Sequence, residues 1–379
     1  MARASDAFNN NFSTIKYDLS RAALATYSLA TLLIGMLSLG LSSCKSQDNI
    51  NTQSAKASLH IQDTDKQRGA HLFRYRDTTN LSFLDNMNIE WLTLVPWGYM
   101  EGHQDSIVGH QRRNRPAAQV DSNWISTIQS FQAKGYKIFL KPHIWLHGTE
   151  PGKWRSDIFP KNEADWTTWK ATYREFILRY ARVAEAASAE MYCVGTELTL
   201  LSKEKPQFWR EIIAEIKEIY SGKLTYAANW YKEYEDISFW DELDYIGIQA
   251  YFPLVKKESP STEELRAGWN KHLPTIKGKA EQYDKPILFT EMGYKSTSDS
   301  GITPWEWMDY EDNKKTYSVE TQANCYQAFF DVIWNEPWFA GMHIWQLRGN
   351  HRYGDDYDNL DFTPQGKPAT QVIRAGFGK

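Results

Sequence analysis

The chain has 379 residues, enough for one large barrel or two ordinary domains, and its 43 basic and 47 acidic side chains give a formal net charge of −4. No basic stripe runs through the sequence, so we do not expect nucleic acid as a partner. The 16 tryptophans all lie between Trp91 and Trp345. Most of them must pack inside the protein, but such an excess also suits a surface that stacks on sugar rings.

The first 43 residues resemble a bacterial lipoprotein signal peptide. A charge-free apolar run from Ala22 to Leu41 follows Lys16 and Arg21 and ends in Leu-Ser-Ser-Cys44, after which the chain turns polar. The run is longer than the roughly 7–15 residues usual in signal peptides. The resemblance implies cleavage before Cys44, lipidation of that cysteine, and export to a membrane, with the outer membrane or cell surface as the expected place. A plain transmembrane anchor is the alternative.

The following segment, residues 44–66, is polar and has few apolar side chains to bury, which predicts a flexible tether. The two other cysteines, Cys193 and Cys325, are expected to be buried free thiols. The sequence has neither a Cys/His cluster at zinc spacing nor a glycine-rich phosphate loop. We therefore expect no metal and no cofactor, and we expect a monomer.

From residue 67 to 379 the chain alternates strand-like and helix-like stretches without an internal linker. Apolar stretches predict strands at 68–75, 89–97, 136–145, 189–198, 224–230, 245–252, 287–292 and 339–345. Helical stretches lie at 123–134, 166–183, 208–219, 263–283, 319–334 and 370–375. Pro274 is expected to break the fourth of these helices. Eight strands separated by helices predict an α/β fold, a single (β/α)₈ TIM barrel.

Two of the predicted strands have a glutamate next to their last residue, Glu197 and Glu291. A buried carboxylate is costly, and the C-terminal ends of barrel strands are where TIM-barrel enzymes hold their catalytic groups. We therefore expect the two glutamates to face each other there. Period-two alternation predicts shared faces for Met191, Cys193, Gly195 and Glu197, and for Ile287, Phe289 and Glu291. The structural alternative is that each glutamate only forms an ion pair with a lysine or arginine.

Two carboxylates at one cleft are the groups that glycoside hydrolysis requires. One donates a proton to the leaving oxygen, and the other attacks the sugar or activates water. The separation of the carboxylates decides between these two mechanisms, and the sequence alone does not determine it.

Several motifs, in the same order from about Trp91 to Ala369, resemble glycoside hydrolase family 113. They are Leu-Lys-Pro-His143, Val-Gly-Thr-Glu197-Leu, Ala-Ala-Asn229-Trp, Ile-Gln-Ala-Tyr251-Phe-Pro, Phe-Thr-Glu291-Met-Gly-Tyr and Pro-Trp-Glu-Trp307. The resemblance implies a retaining (β/α)₈ glycosidase that acts on β-1,4-mannans. It also implies Glu197 as the acid/base and Glu291 as the nucleophile. The residues expected to contact substrate are Trp97, Lys141, His143, Trp145, Asn229, Tyr251 and Trp345.

The chain departs from the pattern at Thr196, where related families commonly have asparagine, and at Trp145 and His147, where a smaller or acidic residue is expected. Linkage and subsite preference are therefore left open. Two other functions also remain open: a glycosidase acting on another β-glycan, such as glucan or xylan, and a surface glycan-binding lipoprotein without turnover. The presence of both glutamates favours an enzyme.

Overall fold

The computed structural model describes residues 59–75, 80–109, 116–148, 150–307, 316–349 and 360–378. Within them, eight parallel strands form a closed barrel whose order follows the chain, with the last strand paired to the first. The barrel strands are β1 (Gln67–Phe73), β2 (Trp91–Leu94), β4 (Lys137–Leu140), β6 (Met191–Thr196), β7 (Lys223–Asn229), β8 (Tyr245–Gln249), β9 (Ile287–Met292) and β10 (Phe339–Arg348). The TIM-barrel prediction is confirmed.

Two short strands extend the barrel beyond β2 and β4. β3 (Trp97–Met100) and β5 (His143–Leu146) pair in parallel, with Trp97 opposite His143. Pro96 and Pro142 separate these extensions from the barrel strands, because proline has no N–H to give to a ladder. The β3–β5 ribbon therefore continues past the C-terminal ends of its two parent strands.

Helices surround the barrel. They are α1 (Ser82–Asp85), α2 (Ala117–Gln132), α3 (Glu163–Ala186), α4 (Thr199–Glu204), α5 (Pro206–Ile219), α6 (Glu233–Asp236), α7 (Thr262–Tyr283), α8 (Val319–Phe329) and α9 (Ala369–Phe377). A π-helical turn, Phe330–Trp334, continues α8. Helix α3 begins where the Asn162 side chain accepts the Asp165 N–H, and its aromatic residues at three- and four-residue spacing are buried, as expected for a stripe that faces the core.

The expected break at Pro274 does not occur, because α7 runs through it from Thr262 to Tyr283. Proline removes one helical hydrogen bond at a cost of roughly 3 kcal/mol. Packing on both sides of the proline, by Trp269 before it and Ile276 after it, holds the helix in place. A capping box between Ser261 and Glu264 also stabilises its first turn.

The barrel interior and the layer beneath the helices contain different residues of β9. Leu288 joins Phe139, Met191, Cys193 and Ala227 in the interior cluster. Phe289 instead packs outward, with its ring 5.9 Å from that of Trp269 on α7 and 5.9 Å from that of Phe329 on α8.

A β-bulge on β9 brings Glu291 to the interior. Phe289 is paired with Ile248 of β8, whereas Glu291 is paired with the next residue, Gln249, so Thr290 is the extra residue. The bulge interrupts the alternation. The prediction that Glu291 shares a face with Ile287 and Phe289 is therefore wrong.

A similar irregularity on β6 precedes Glu197. Cys193 is paired with Thr225 and Thr196 with Ala227, so β6 has one more residue than β7 in this interval. A Cβ on Gly195 would lie 2.8 Å from the Trp209 ring, which belongs to the outer layer. The prediction that Gly195 shares the face of Cys193 is also wrong.

The segment before β1, residues 59–66, contacts the barrel. The Ile61 N–H donates to the Pro337 carbonyl oxygen at 2.7 Å, and the buried Lys66 ammonium donates to the Trp334 carbonyl. The expected signal peptide and Cys44 lie outside the described residues. No helix in the described ranges is both long and apolar enough to span a bilayer.

Two glycines of α7 form a matched pair for testing how this helix packs. A Cβ on Gly268 would lie 2.4 Å from the Leu254 carbonyl oxygen, whereas a Cβ on Gly278 would meet no atom within 4 Å. Gly278→Ala should raise the free energy of unfolding by roughly 0.5–1 kcal/mol, because alanine favours helix. Gly268→Ala should lower it by about 1–3 kcal/mol, because the backbone must move. Urea unfolding of both variants measures the difference, and equal effects would contradict this packing.

Candidate active site

Glu197 and Glu291 both lie at the C-terminal end of the barrel, and both side chains are almost fully buried. Glu291 is the penultimate residue of β9, and Glu197 directly follows β6. Glu197 adopts a left-handed backbone conformation with φ of 51°. Such a conformation is costly for a residue other than glycine and persists only where its surroundings hold it.

Glu291 is held by a lysine and a tyrosine. The Lys141 ammonium lies 2.6 Å from Oε1, and the Tyr251 hydroxyl donates to Oε2 at 2.9 Å. Burial lowers the pKa of Lys141, while the neighbouring Glu291 carboxylate opposes that shift. Burial, together with Glu291, raises the pKa of Tyr251 well above its usual value, so the hydroxyl keeps the proton that it donates.

Lys141 has further partners that sequence analysis did not identify. Its ammonium donates to Gln249 Oε1 at 2.6 Å and to the Thr290 carbonyl oxygen at 3.3 Å. It also lies 3.3 Å from His71 Nε2. Because His71 Nδ1 faces the Ile344 carbonyl at 3.3 Å, Nδ1 carries the ring proton and Nε2 accepts from the lysine.

His143 is neutral, with its proton on the nitrogen that faces Glu291. Its Nδ1 lies 3.0 Å from Nη1 of Arg155, and a guanidinium can only donate, so Nδ1 is the acceptor. Nε2 therefore carries the hydrogen and lies 3.6 Å from Glu291 Oε1. Burial, Lys141, Arg155 and His71 together hold the pKa of His143 well below its usual value.

Glu197 is contacted by two neighbouring residues of the segment between β5 and α3. The Trp154 indole N–H donates to Glu197 Oε2 at 3.2 Å. The Arg155 Nε lies 3.1 Å from the same oxygen, although its N–H is not directed at it. The guanidinium lies 4.6 Å from the centre of the Trp154 ring. Neither residue was predicted. Both lie in a segment without helical or strand periodicity. The only signal there in the sequence is a tryptophan next to an arginine.

Each glutamate thus has a cation beside it, as the structural alternative required. Ion pairing alone does not explain the arrangement, because a buried pair seldom stabilises a fold more than apolar residues of the same volume would. The two pairs also lie at the strand ends that carry the chemistry of TIM barrels. The site therefore places two carboxylates, each with its own donors, at the end of the barrel where TIM-barrel enzymes hold their catalytic groups.

The predicted aromatic residues lie around this centre. Trp345 is buried on β10, with its ring 5.0 Å from His71 and 6.4 Å from His143, the latter in parallel orientation. The Trp97 ring lies 5.2 Å from His143 and 5.7 Å from Trp145, which is 43% exposed. The β3–β5 ribbon therefore carries an aromatic row outward from His143.

Asn229, Trp305 and Trp307 are three further residues of the sequence motifs. Asn229, at the end of β7, is half-buried, and its side-chain oxygen accepts the Tyr231 N–H at 3.1 Å. Trp307 is 55% exposed and lies 5.9 Å from the Trp345 ring. Trp305 stacks on Trp230 at 5.0 Å.

A third buried carboxylate, Glu233 at the start of α6, lies beside the segment that follows Glu197. Its Oε1 accepts from Tyr226 Oη at 2.7 Å and Ser202 Oγ at 2.8 Å. Its Oε2 accepts from the Asn229 N–H at 2.7 Å and Thr199 Oγ1 at 2.9 Å. Burial raises the pKa of Glu233 to about 7, although the four donors oppose the shift.

The raised pKa of Glu233 should make stability depend on pH. Native Glu233 keeps its proton up to about pH 7, whereas the unfolded side chain ionises near 4.5, so the native state binds more protons between these values. The free energy of unfolding should therefore fall as pH rises through this window, by roughly 3 kcal/mol from this group, and then level off. Urea unfolding of wild type and Glu233→Gln from pH 5 to 8 tests this, because the variant cannot titrate. A difference between the two proteins that stays constant with pH would contradict it.

The sequence matches the family model of Glycoside Hydrolase Family 113 over residues 66–367. Among solved structures, a complex of a GH113 β-1,4-mannanase is similar, with a TM-score of 0.70 and 25% identity over 83% of this chain and 99% of that one. The GH113 β-mannanase AaManA from Alicyclobacillus acidocaldarius, in complex with ManMIm, has a TM-score of 0.69 and 27% identity over 83% and 97%.

A Ruminococcus gnavus β-glucuronidase has 14% identity and a TM-score of 0.54 over 82% of this chain and 50% of that one, a likeness of fold alone. No curated protein matches the chain. The family model covers most of the barrel and includes both glutamates, so the chain belongs to glycoside hydrolase family 113 and is an enzyme that acts on O-glycosyl bonds.

Proposed function

We propose that this enzyme is a retaining glycoside hydrolase that cleaves β-1,4-mannosidic linkages in mannan-type polysaccharides or oligosaccharides. The observation that carries the proposal is the pair of buried glutamates at the strand ends, each with a different set of donors. Glu291, oriented through both oxygens by Lys141 and Tyr251, is suited to attack. Glu197, beside the partly exposed Trp154, is suited to exchange protons with a leaving group and with water.

The reaction proceeds by two displacements. Glu291 attacks the anomeric carbon while Glu197 gives its proton to the glycosidic oxygen, so the leaving sugar departs and a covalent glycosyl-enzyme forms. Glu197 then takes a proton from water, whose oxygen attacks the anomeric carbon and releases Glu291. Lys141 and Tyr251 keep the carboxylate of Glu291 in one orientation during both steps.

His143 has a donor available for the substrate. Its Nε2–H has no hydrogen-bond acceptor among the described residues, although the side chain is 1% exposed. A buried donor without a partner is costly, so a sugar hydroxyl bound beside Glu291 is a suitable acceptor. Trp345, with its ring parallel to that of His143, is the expected floor beneath the same sugar.

The leaving part of a chain substrate has space on the Glu197 side. A cavity of ≈ 310 Å³ lies next to the segment that carries Trp154 and Arg155, and it is lined by His103, Gln104, Lys153, Asp157, Phe159, Pro160, Lys161 and Leu200. Leu200, three residues after Glu197, is 40% exposed. Because a general acid lies beside the leaving oxygen, a sugar chain extending from that oxygen would run toward this cavity.

Mannan is the favoured substrate because two similar solved structures of 25% and 27% identity are named as β-mannanases. Another β-glycan, such as glucan or xylan, is the alternative, since Trp145 and His147 differ from the residues expected there. A glycan-binding protein without turnover is the second alternative. Incubation with mannan, glucan and xylan, followed by sizing of the products, separates the three functions.

Azide rescue should separate the roles of the two glutamates. Glu291→Ala should abolish cleavage of mannan and of an activated aryl β-mannoside by several orders of magnitude, because no covalent intermediate forms. Glu197→Ala should lose mannan cleavage but still react with the aryl substrate, whose leaving group needs no acid, and then stall. Azide, which needs no base, should restore turnover and yield the β-glycosyl azide.

The product of that reaction also tests the stereochemistry. An α-azide would mean inversion, with the carboxyl groups about 6.5–9.5 Å apart rather than about 5–5.5 Å. Rescue of the Glu291 variant instead of the Glu197 variant would mean that the roles are reversed.

We also propose that the enzyme is an exported lipoprotein, anchored through Cys44 to the outer membrane or cell surface. The support is the Leu-Ser-Ser-Cys box at the end of the apolar run. Cys44→Ser should leave an unprocessed precursor that takes up no labelled fatty acid. Efficient labelling of the variant would exclude lipidation at this cysteine. A chain starting near Leu59, which keeps the contacts of Ile61 and Lys66 with the barrel, should be soluble and active.

A further inference from the structure

Glu233 has no part in the two displacements, yet two of its four hydrogen bonds come from the segment that follows the acid/base and two from the strand beside it. Thr199 and Ser202 belong to α4, which begins two residues after Glu197. Tyr226 and Asn229 belong to β7, the next strand of the barrel. One carboxylate therefore connects the turn after Glu197 to the strand beside it.

The backbone around Glu197 is held on both sides by β7. The Glu197 N–H donates to the Ala227 carbonyl oxygen at 2.9 Å, and the Leu198 N–H donates to the Tyr226 hydroxyl oxygen at 2.8 Å. Because Glu197 has a left-handed conformation, these bonds determine where its carboxyl group points. The second bond requires that the Tyr226 hydroxyl present a lone pair to Leu198.

Glu233 sets the direction of that hydroxyl. The phenolic proton of Tyr226 is donated to Glu233 Oε1, which leaves a lone pair free to accept the Leu198 N–H. We propose that Glu233 is a positioning residue for the acid/base: through Tyr226 and Leu198 it fixes the Glu197 carboxyl group for proton transfer to the leaving oxygen. This inference rests on the proposed function of Glu197.

A carboxylate is required because all four of its partners donate. Above its pKa of about 7, Glu233 is ionised and offers lone pairs on both oxygens, whereas glutamine offers one oxygen and an NH₂ group that can only donate. The Asn229 N–H cannot reverse its role, so glutamine would direct its oxygen to Asn229 and its NH₂ to Tyr226 and Ser202. The Tyr226 proton would then turn toward the Leu198 N–H and break that contact.

The experiment is carried out at about pH 8, where Glu233 is ionised, and compares kcat/KM for a series of aryl β-mannosides, from dinitrophenyl to unsubstituted phenyl, and for manno-oligosaccharide. This ratio reports formation of the glycosyl-enzyme, in which poor leaving groups need the acid and good ones do not. Glu233→Gln should lose about 10- to 100-fold on the phenyl substrate and oligosaccharide, and less than about threefold on the dinitrophenyl substrate. Tyr226→Phe, which retains Glu233 but removes the hydroxyl, should show the same pattern and serves if the first variant does not fold.

Glu190→Gln is the matched control. Glu190 precedes β6, the strand that leads to Glu197, and its Oε2 accepts the Ile138 N–H at 2.6 Å at the opposite end of the barrel. Its loss should leave the dependence on leaving group unchanged. Equal losses by Glu233→Gln and Tyr226→Phe on every substrate would overturn the positioning role while the proposed function stands. A wild-type enzyme inactive on every mannoside would overturn the proposed function, and this inference with it.

Discussion

The ion pair between Lys141 and Glu291 is the interaction around which the active site is built. Both groups are buried, and removing two charges from water costs several kcal/mol per ion before any attraction is counted. The surroundings offset that cost with polar partners for each: Gln249 and the Thr290 carbonyl for the lysine, and Tyr251 for the carboxylate. A fold selected for stability alone would fill this space with apolar side chains.

Several irregularities of the barrel serve this ion pair. The bulge at Thr290 directs Glu291 inward and leaves the Thr290 carbonyl in reach of Lys141. Pro142 directly follows Lys141 and separates β4 from β5. Strand β5 then carries His143 beyond the C-terminal end of β4. Arg155 connects the two halves of the site, because one guanidinium contacts both His143 and Glu197.

Sequence reasoning recovered the architecture because eight apolar strands and their amphipathic helices follow periodicities that can be read locally. It also singled out Glu197 and Glu291, both of which lie at the C-terminal end of the barrel, because a carboxylate at the end of an apolar run is conspicuous. It failed where tertiary context decides. The amino acids around Thr290 do not indicate a one-residue bulge. The packing that keeps α7 intact at Pro274 comes from neighbouring elements. Trp154 and Arg155 reach Glu197 from a segment 43 and 42 positions away, without any periodic signal.

The pairing of β1 with β10 has a consequence for how the molecule forms. The Gln67 side chain accepts a hydrogen bond from His343, a residue 276 positions later, and no earlier strand can satisfy the edge of β1 on that side. Until Phe339–Arg348 is in place, the partly assembled sheet has two open edges, with N–H and C=O groups exposed to other chains. Such long-range closure is intrinsically slow, because a large loop must be ordered before its contacts form. The edges of the sheet therefore remain open to other chains until the last strand is added.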